Sequence, residues 1–373
     1  MNKHCSGNCI TCGKCNTFPI LDNFRTADEA YEPRDGLGVA IDIGTTTVVL
    51  TLLDLAGGTA LKRHSFLNPQ RKYGPDVISR ISAAANGAVK DDMRHMINAA
   101  IKDGIAALTK ETLIDGALAA NTLMTHLLLG YDCESLGVSP FKSNHQPPAF
   151  HEISGQTIRI VPWLSGFVGG DILAGLLFVP GVMRFLLIDL GTNGEIALYD
   201  HGRLLITSTA AGPAFEGAMH GGASAVISQL AGLVRDNTID ETGYIENEDV
   251  FTREQVRSLQ LAKSAVRSGI DILLSEAGLR MSMLDAVYLA GGIGQAMDID
   301  DAAAIGLLPR ELINKVSAVG NASLGGAAMM LLAPQQTAAH MQALMSNVRE
   351  VNLAAHRQFS HLFMENMFFE PID

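Results

Sequence analysis

The sequence predicts an α/β protein of two similar lobes. Three observations carry that class. A buried strand, Gly38-Val-Ala-Ile-Asp42, ends on an aspartate and runs into a glycine turn, and Arg184-Phe-Leu-Leu-Ile-Asp189 does the same in the other half of the chain. In both places a second strand returns from the turn and a third follows a hairpin. Helical spacing then takes over before the next apolar strand. The two halves share little beyond Asp-x-Gly-Thr, so this is a duplication of structure rather than a sequence repeat. Two such lobes would face each other across a cleft. With 373 residues, 47% of them hydrophobic, the chain has enough length for two or three domains with sizeable cores.

Residues 1–35 stand apart. Cys5, Cys9, Cys12 and Cys15 lie in the first fifteen residues, and a polar stretch with Pro33 and Gly36 follows. This reads as a small clasp and a linker. The first lobe is expected over 36–182. Its strands are Gly38–Asp42, Thr47–Asp54 and Ala60–Leu67, with a hairpin turn at Ala56–Thr59. Asp76–Ala85 and Asp92–Leu108 show helical spacing, Leu113–Ala120 reads as a strand and Asn121–Leu129 as a helix. The second lobe is expected over 183–335. Arg184–Asp189, Glu195–Tyr199 and Leu204–Thr209 are its strands, Arg253–Ala277 a helix, and Ala286–Ala290 a strand ending in Gly291-Gly-Ile-Gly294. Residues 336–373 are expected to pack on this core as an amphipathic helical segment, Met341–Phe369.

Charge and hydropathy exclude several classes. There are 27 basic and 39 acidic residues, a net charge of −12, which argues against nucleic acid and anionic membrane surfaces as partners. The most apolar stretch, Ile158–Leu190, is interrupted by Pro162, Asp171, Pro180 and Gly181. A carboxylate in lipid is costly, so two buried elements of a soluble core explain it better than a membrane span. The polar, cysteine-rich start has no apolar stretch of the secretory kind, and a cytoplasmic protein is expected. The sequence is compatible with a homodimer.

Asp42-Ile-Gly-Thr-Thr-Thr47 has the chemistry of a phosphate turn. Gly44 lets backbone approach a phosphate, turn N–H groups and the hydroxyls of Thr45 and Thr46 can donate to it, and Asp42 can hold Mg²⁺ through water. Alone, such a turn is also an ordinary strand connection. Asp189-Leu-Gly-Thr-Asn-Gly194 repeats it, and Leu289-Ala-Gly-Gly-Ile-Gly294 adds a third glycine turn. None of the three is a Walker A loop or a Rossmann turn. Asp171, in Phe167-Val-Gly-Gly-Asp171, is placed either to position water or Mg²⁺ near a γ-phosphate or simply to serve a helix dipole. The cysteine spacing, Cys5-x₃-Cys9-x₂-Cys12-x₂-Cys15, supplies four thiolates within eleven residues. That suits a [4Fe–4S] cluster, with tetrahedral zinc as the alternative and a disulfide pair behind both. The first three cysteines also have the radical-SAM spacing, but Cys15 would fill the position such enzymes leave open, and no barrel follows. Cys133 reads as a lone core or surface thiol.

Together the three glycine turns resemble the ASKHA superfamily of acetate and sugar kinases, heat-shock chaperones and actins, over roughly residues 38–330. The resemblance implies two ribonuclease-H-like lobes with ATP and Mg²⁺ between them. It implies catalytic roles for Asp42, Asp171 and Asp189. It also implies phosphate contacts at Gly44, Thr45, Thr46, Gly191, Thr192 and Asn193, and adenosine contacts at Gly291, Gly292 and Gly294. Ser208–Glu216, including Gly212 and Glu216, would line the same cleft, and Lys263 would be a weaker ribose contact.

Further stretches narrow the resemblance. Asn68-Pro-Gln-Arg-Lys-Tyr-Gly-Pro-Asp-Val-Ile-Ser-Arg80, Gly191-Thr-Asn-Gly-Glu195, Thr209-Ala-Ala-Gly-Pro-Ala-Phe-Glu216, Gly320-Asn-Ala-Ser-Leu-Gly-Gly326 and the end near Phe359–Phe369 resemble the ATP-dependent reductive activators of corrinoid proteins. That family implies one-electron reduction of Co(II) to Co(I) in a partner protein, driven by ATP, with a separate electron donor. Better-known activators carry a full ferredoxin-like domain at the N-terminus or cluster domains at the C-terminus, where this chain has only the short cysteine run. The acceptor is therefore a corrinoid protein or another low-potential metalloprotein. Two further readings stand beside it: an ATP-gated interaction protein or metallochaperone with structural zinc, and a small-molecule kinase of the same fold.

Overall fold

The computed structural model describes residues 31–369, apart from 192, 210, 212–213, 215–221 and 247. Two compact units result. The first holds the described residues up to Pro180 together with Asn321–Ser346; the second holds Gly181–Gly320 and the described residues from Asn347 onward. The chain thus returns to the first unit late, where the sequence suggested one uninterrupted second lobe to 335.

The first unit is built on a six-stranded sheet in the order β3-β2-β1-β4-β6-β5. The strands are β1 (Leu37–Ile43), β2 (Thr47–Asp54), β3 (Thr59–Leu67), β4 (Leu113–Ala120), β5 (Phe150–Ile153) and β6 (Gln156–Ile160). β1–β2 and β2–β3 pair antiparallel through short turns, while β4 and β6 extend the sheet in parallel. β1 is buried along nearly its whole length, as expected of a strand covered on both faces. One covering helix is α2 (Gly87–Leu108), whose stripe Met93, Ile97, Ile101 and Leu108 faces the core. It follows α1 (Val77–Ala84) and starts before the expected Asp92, because Asn86 caps it by accepting from the Ala88 and Val89 amides. Next come α3 (Thr122–Leu129), the short α4 (Glu134–Gly137) and α5 (Gly170–Phe178). The late return supplies α10 (Ala322–Leu332) and α11 (Pro334–Ser346). α10 packs on α5 at very short range: a Cβ on Gly326 would lie 1.9 Å from the Ala174 carbonyl oxygen.

The second unit repeats the plan in the order β11-β10-β7-β8-β9-β12. Its strands are β7 (Arg184–Leu190), β8 (Gly194–Asp200), β9 (Arg203–Thr209), β10 (Ala286–Ala290), β11 (Val316–Gly320) and β12 (Val348–Glu350). Again three strands are antiparallel and the next is parallel, the ribonuclease-H-like arrangement. Its described helices are α6 (Gly222–Arg235), α7 (Arg253–Ala277), α8 (Gly291–Ala296), α9 (Ile299–Ala304) and α12 (Phe359–Glu365). α7 opens with a Thr252–Gln255 capping box and stops at left-handed Gly278.

Two expectations change. Ile158–Leu190 is three buried elements, β6, α5 and β7, rather than two, and no described helix is long and apolar enough to cross a membrane. Met341–Phe369 is not one helix: α11 ends at Ser346, β12 pairs in parallel with β9, and α12 begins at Phe359. The pairing of Val348 with Leu204 is a long-range contact that a helical period cannot reveal.

Candidate functional site

In the first unit the site forms where β1 ends. Asp42 is the penultimate residue of the strand, and the chain reverses through Gly44–Thr46 into β2. The Gly44 amide donates to the Thr47 carbonyl at 2.9 Å. A Cβ at Gly44 would sit 2.8 Å from that same oxygen, so the turn closes only around glycine.

Two side chains that sequence reasoning left without a role hold the turn from behind. Asn68 donates through Nδ2 to the Gly44 carbonyl at 2.9 Å, and its backbone amide donates to the Thr46 carbonyl at 2.9 Å. Arg80 is fully buried and donates to the carbonyls of Thr45 (2.6 Å) and Gly74 (2.9 Å). Burial lowers the Arg80 pKa to about 10, so the guanidinium remains charged at neutral pH. All three turn carbonyls therefore point inward, towards donors. The outer side is free of their repulsion, which suits an anion. Thr45 itself is buried and accepts at Oγ1 from Asn121 at 3.1 Å. Asn68 and Arg80 both lie in a stretch the sequence singled out, but their donation to a turn far back in the chain has no periodic signal.

Asp42 is gripped at both oxygens. Asn321 Nδ2 donates to Oδ2 at 2.7 Å and Ser323 Oγ donates to Oδ1 at 2.8 Å. Burial raises its pKa, and these two donors oppose the rise. Asn321 also caps α10 by accepting from the Leu324 amide, which fixes its amide orientation. Asp171 stands in the first turn of α5. Its pKa is raised to about 7, chiefly by burial; the Ile172 amide lowers it and the charge of Asp42 adds to the rise. Gly169 and Gly170 allow this placement. A Cβ on Gly169 would fall 2.4 Å from Asn121 Cα, and one on Gly170 2.3 Å from the Val161 carbonyl. Two oxygen-donor carboxyls whose charges repel are a donor set that fits Mg²⁺, which takes hard oxygen ligands and usually keeps several waters.

The second unit carries the matching turn. Asp189 is the penultimate residue of β7, and the Gly191 amide donates to the Asn193 carbonyl at 2.9 Å. β10 runs parallel to β7 and brings Ala290 opposite Asp189. Gly291, at φ +80°, then begins α8, and a Cβ there would lie 2.3 Å from Asp189 Oδ1. The second and third glycine turns thus meet. Gly292 has open space where a Cβ would be, while Gly294 packs on Leu289. Lys263 on α7 is buried; its Nζ donates to the carbonyls of Asn366 (2.7 Å) and Phe368 (2.6 Å) and lies 5.1 Å from the Phe369 ring centroid. It lines a cavity of about 360 Å³ with Glu241, Gly306 and Glu365.

Cys5, Cys9, Cys12, Cys15, Thr192, Gly212 and Glu216 lie outside the described residues. Cys133 is a core thiol, with burial pushing its pKa up to about 12.

The duplicated sheet with an aspartate–glycine turn closing the first strand of each unit defines an ASKHA-fold protein. Residues 37–180 match the RACo middle region, and residues 184–244 and 238–373 match the C-terminal domain of RACo, the ASKHA domain. The chain belongs to the RACo family. It is 30% identical to the corrinoid activation enzyme RamQ of Eubacterium limosum, over 89% of this chain and 70% of that protein. The solved structure of a reductive activator for corrinoid, iron–sulfur protein superposes with a TM-score of 0.79 at 29% identity, covering 91% of this chain and 67% of the other.

Proposed function

We propose that the protein is an ATP-dependent reductive activator of a corrinoid protein. In this reading it supports one-electron reduction of Co(II) to Co(I) in the partner, with the electron coming from an external low-potential donor, as ATP is hydrolysed to ADP and phosphate. The observation that carries the proposal is the likeness to a corrinoid activation enzyme along 89% of the chain, with carboxylate-bearing glycine turns in both units.

The residues divide the work as follows. Asp42, hydrogen-bonded by Asn321 and Ser323, would hold Mg²⁺ through water, Asp189 would serve the phosphates from the turn of the second unit, and bound Mg²⁺ would neutralise charge on the phosphates. Thr45, Thr46, Thr192 and Asn193 would donate to phosphate oxygens, and Gly44 and Gly191 would let the two turns approach them closely. Asp171, with its carboxyl titrating near 7, would accept a proton from the attacking water at a carboxylate oxygen. Gly291, Gly292, Gly294, Gly212, Glu216 and Lys263 would serve the adenosine side. Cys5, Cys9, Cys12 and Cys15 would hold a [4Fe–4S] cluster, whose chemistry is one-electron transfer.

The energetics favour coupling. For one electron, each ~60 mV of uphill potential costs about 1.4 kcal/mol, so a gap of a few hundred millivolts needs several kcal/mol from elsewhere. The test is anaerobic. Purified protein is analysed for iron and sulfide, then mixed with a Co(II) corrinoid protein and a chemical reductant, and the Co(I) band is followed with and without ATP. Cobalt reduction that proceeds equally well without nucleotide, or a preparation holding zinc and no iron, would defeat the proposal. In the zinc case the ATP-gated metallochaperone becomes the better reading.

A further inference from the structure

The first six described residues, Tyr31–Gly36, are neither helix nor strand, yet they are tied down along their length. Tyr31 Oη donates to the Leu55 carbonyl at 2.8 Å, and the Arg34 amide donates to the same oxygen at 3.0 Å. The Glu32 amide donates to the Leu332 carbonyl at 2.8 Å, and Glu32 Oε1 accepts from the Gln335 amide at 3.0 Å. Arg34 forks between Asp115 Oδ2 (2.7 Å) and the Leu331 carbonyl (2.5 Å). Asp115 is also held by Arg159 through two bonds, at 3.1 and 2.8 Å.

Leu331 and Leu332 close α10. The other end of that helix carries Asn321 as its cap and Ser323 in its first turn, the two donors to Asp42. An eleven-residue helix is about 16 Å long. Nearly all of α10 is buried, and its glycines sit against α5, the helix that carries Asp171: Gly326 on the Ala174 backbone and Gly325 on the Phe178 ring. Helices packed backbone to backbone have no slack in which to absorb a shift, so a displacement at one end of α10 arrives at the other.

We propose that Glu32 and Arg34 are positioning residues for the electron-transfer step. They fix the point where the cysteine-bearing N-terminal segment joins the first unit, at one end of a rigid helix whose opposite end grips Asp42. Any turn of the Asp42 carboxylate on nucleotide binding pulls on Asn321 and Ser323, and α10 delivers the shift to the carbonyls that hold Glu32 and Arg34. This inference rests on the ATP-dependent reading above and names the path by which nucleotide reaches the redox segment.

Amide hydrogen exchange of the whole protein, with and without ATP and Mg²⁺, tests it. The Glu32 and Arg34 amides should change their exchange rate by about 5- to 150-fold, the range of ordinary couplings between sites. Arg34→Ala leaves Asp115 paired with Arg159, so the unit should fold and bind ATP within about twofold of wild type, while ATP no longer stimulates cobalt reduction. Arg34→Lys keeps a cation beside Asp115 and should restore part of that stimulation. If calorimetry shows ATP binding but exchange at 31–36 is unchanged, or if Arg34→Ala retains full ATP stimulation, the positioning role is wrong while the proposed function stands. If ATP does not bind, the proposed function fails and this inference with it.

Discussion

Replacing Gly326 by alanine should pry apart the two helices that carry the acidic site of the first unit. The new Cβ would stand 1.9 Å from the Ala174 oxygen, 2.3 Å from its carbonyl carbon and 2.6 Å from its Cα. All three atoms are backbone, so no side chain can swing away. A Cβ contact below 3.0 Å is not tolerated, which requires α5 and α10 to separate by about 1 Å. Both helices are buried on almost every residue, so the separation opens voids along their length. Overpacking of this kind costs about 1–3 kcal/mol and sometimes more. With a urea m-value of about 2 kcal/mol/M, the transition of the first unit should fall by about 0.5–1.5 M. Urea titration followed by circular dichroism measures this, reported as a midpoint because a chain of two units need not unfold in one step. Gly232→Ala is the control: it lies exposed in α6 with nothing within 4 Å of its Cβ position, and it should stabilise by up to about 1 kcal/mol through helix propensity. A Gly326→Ala protein that unfolds at the wild-type midpoint would refute the close-packing argument and weaken the rigid-helix inference built on it.

Asp171→Asn should slow ATP hydrolysis by about 10²- to 10⁴-fold, the usual contribution of a general base, and the wild-type rate should decline as pH falls through about 7. The same substitution should stabilise the protein at pH 8. The folded-state pKa lies above the ordinary carboxyl value, so the penalty for ionising Asp171 grows between pH 4 and 7 and is complete above that. Thermal midpoints of the two proteins should accordingly differ at pH 8 and converge below pH 4. Arg80→Met strips the donors from the Thr45 and Gly74 carbonyls and should cost about 2–4 kcal/mol by urea titration, with weaker ATP binding; wild-type values for both would show that the guanidinium does not hold the turn. Cys133 should resist iodoacetamide at pH 8 in the native protein, since its thiol is buried and titrates near 12, so peptide mapping should find label there only after unfolding.

Much of this fold is legible in the sequence because its signals are local. Apolar runs ending on Asp42 and Asp189, each followed by glycine, mark the two sheets, and hairpin turns mark the returning strands. The meeting of Gly291 with Asp189 follows once β10 is recognised as a parallel neighbour of β7. What stays hidden is pairing over distance. Gly320-Asn-Ala-Ser-Leu-Gly-Gly326 stands out only by its resemblance, and nothing in it says that it opens a helix, that α5 is the neighbour or that Asp42 is the object of its donors. Arg80 looks like an ordinary charged residue on a short helix, and only the structure shows it with no exposure at all. β12 is three residues long, too short for any alternation to stand out, and its strand character is owed entirely to β9.

The late return of Asn321–Ser346 and the edge strand Val348–Glu350 also bear on synthesis. Domains usually mature one after another as the ribosome delivers them. Here neither unit is finished early: the first lacks α10 until residues 322–332 are made, and β9 keeps a bare edge until 348–350 follow. A nascent chain halted near residue 320 would present an apolar sheet face and an unpaired strand together, the features that recruit chaperones or invite aggregation. Truncated expression that stops near 320 should thus yield insoluble protein, however complete each glycine turn looks in the gene.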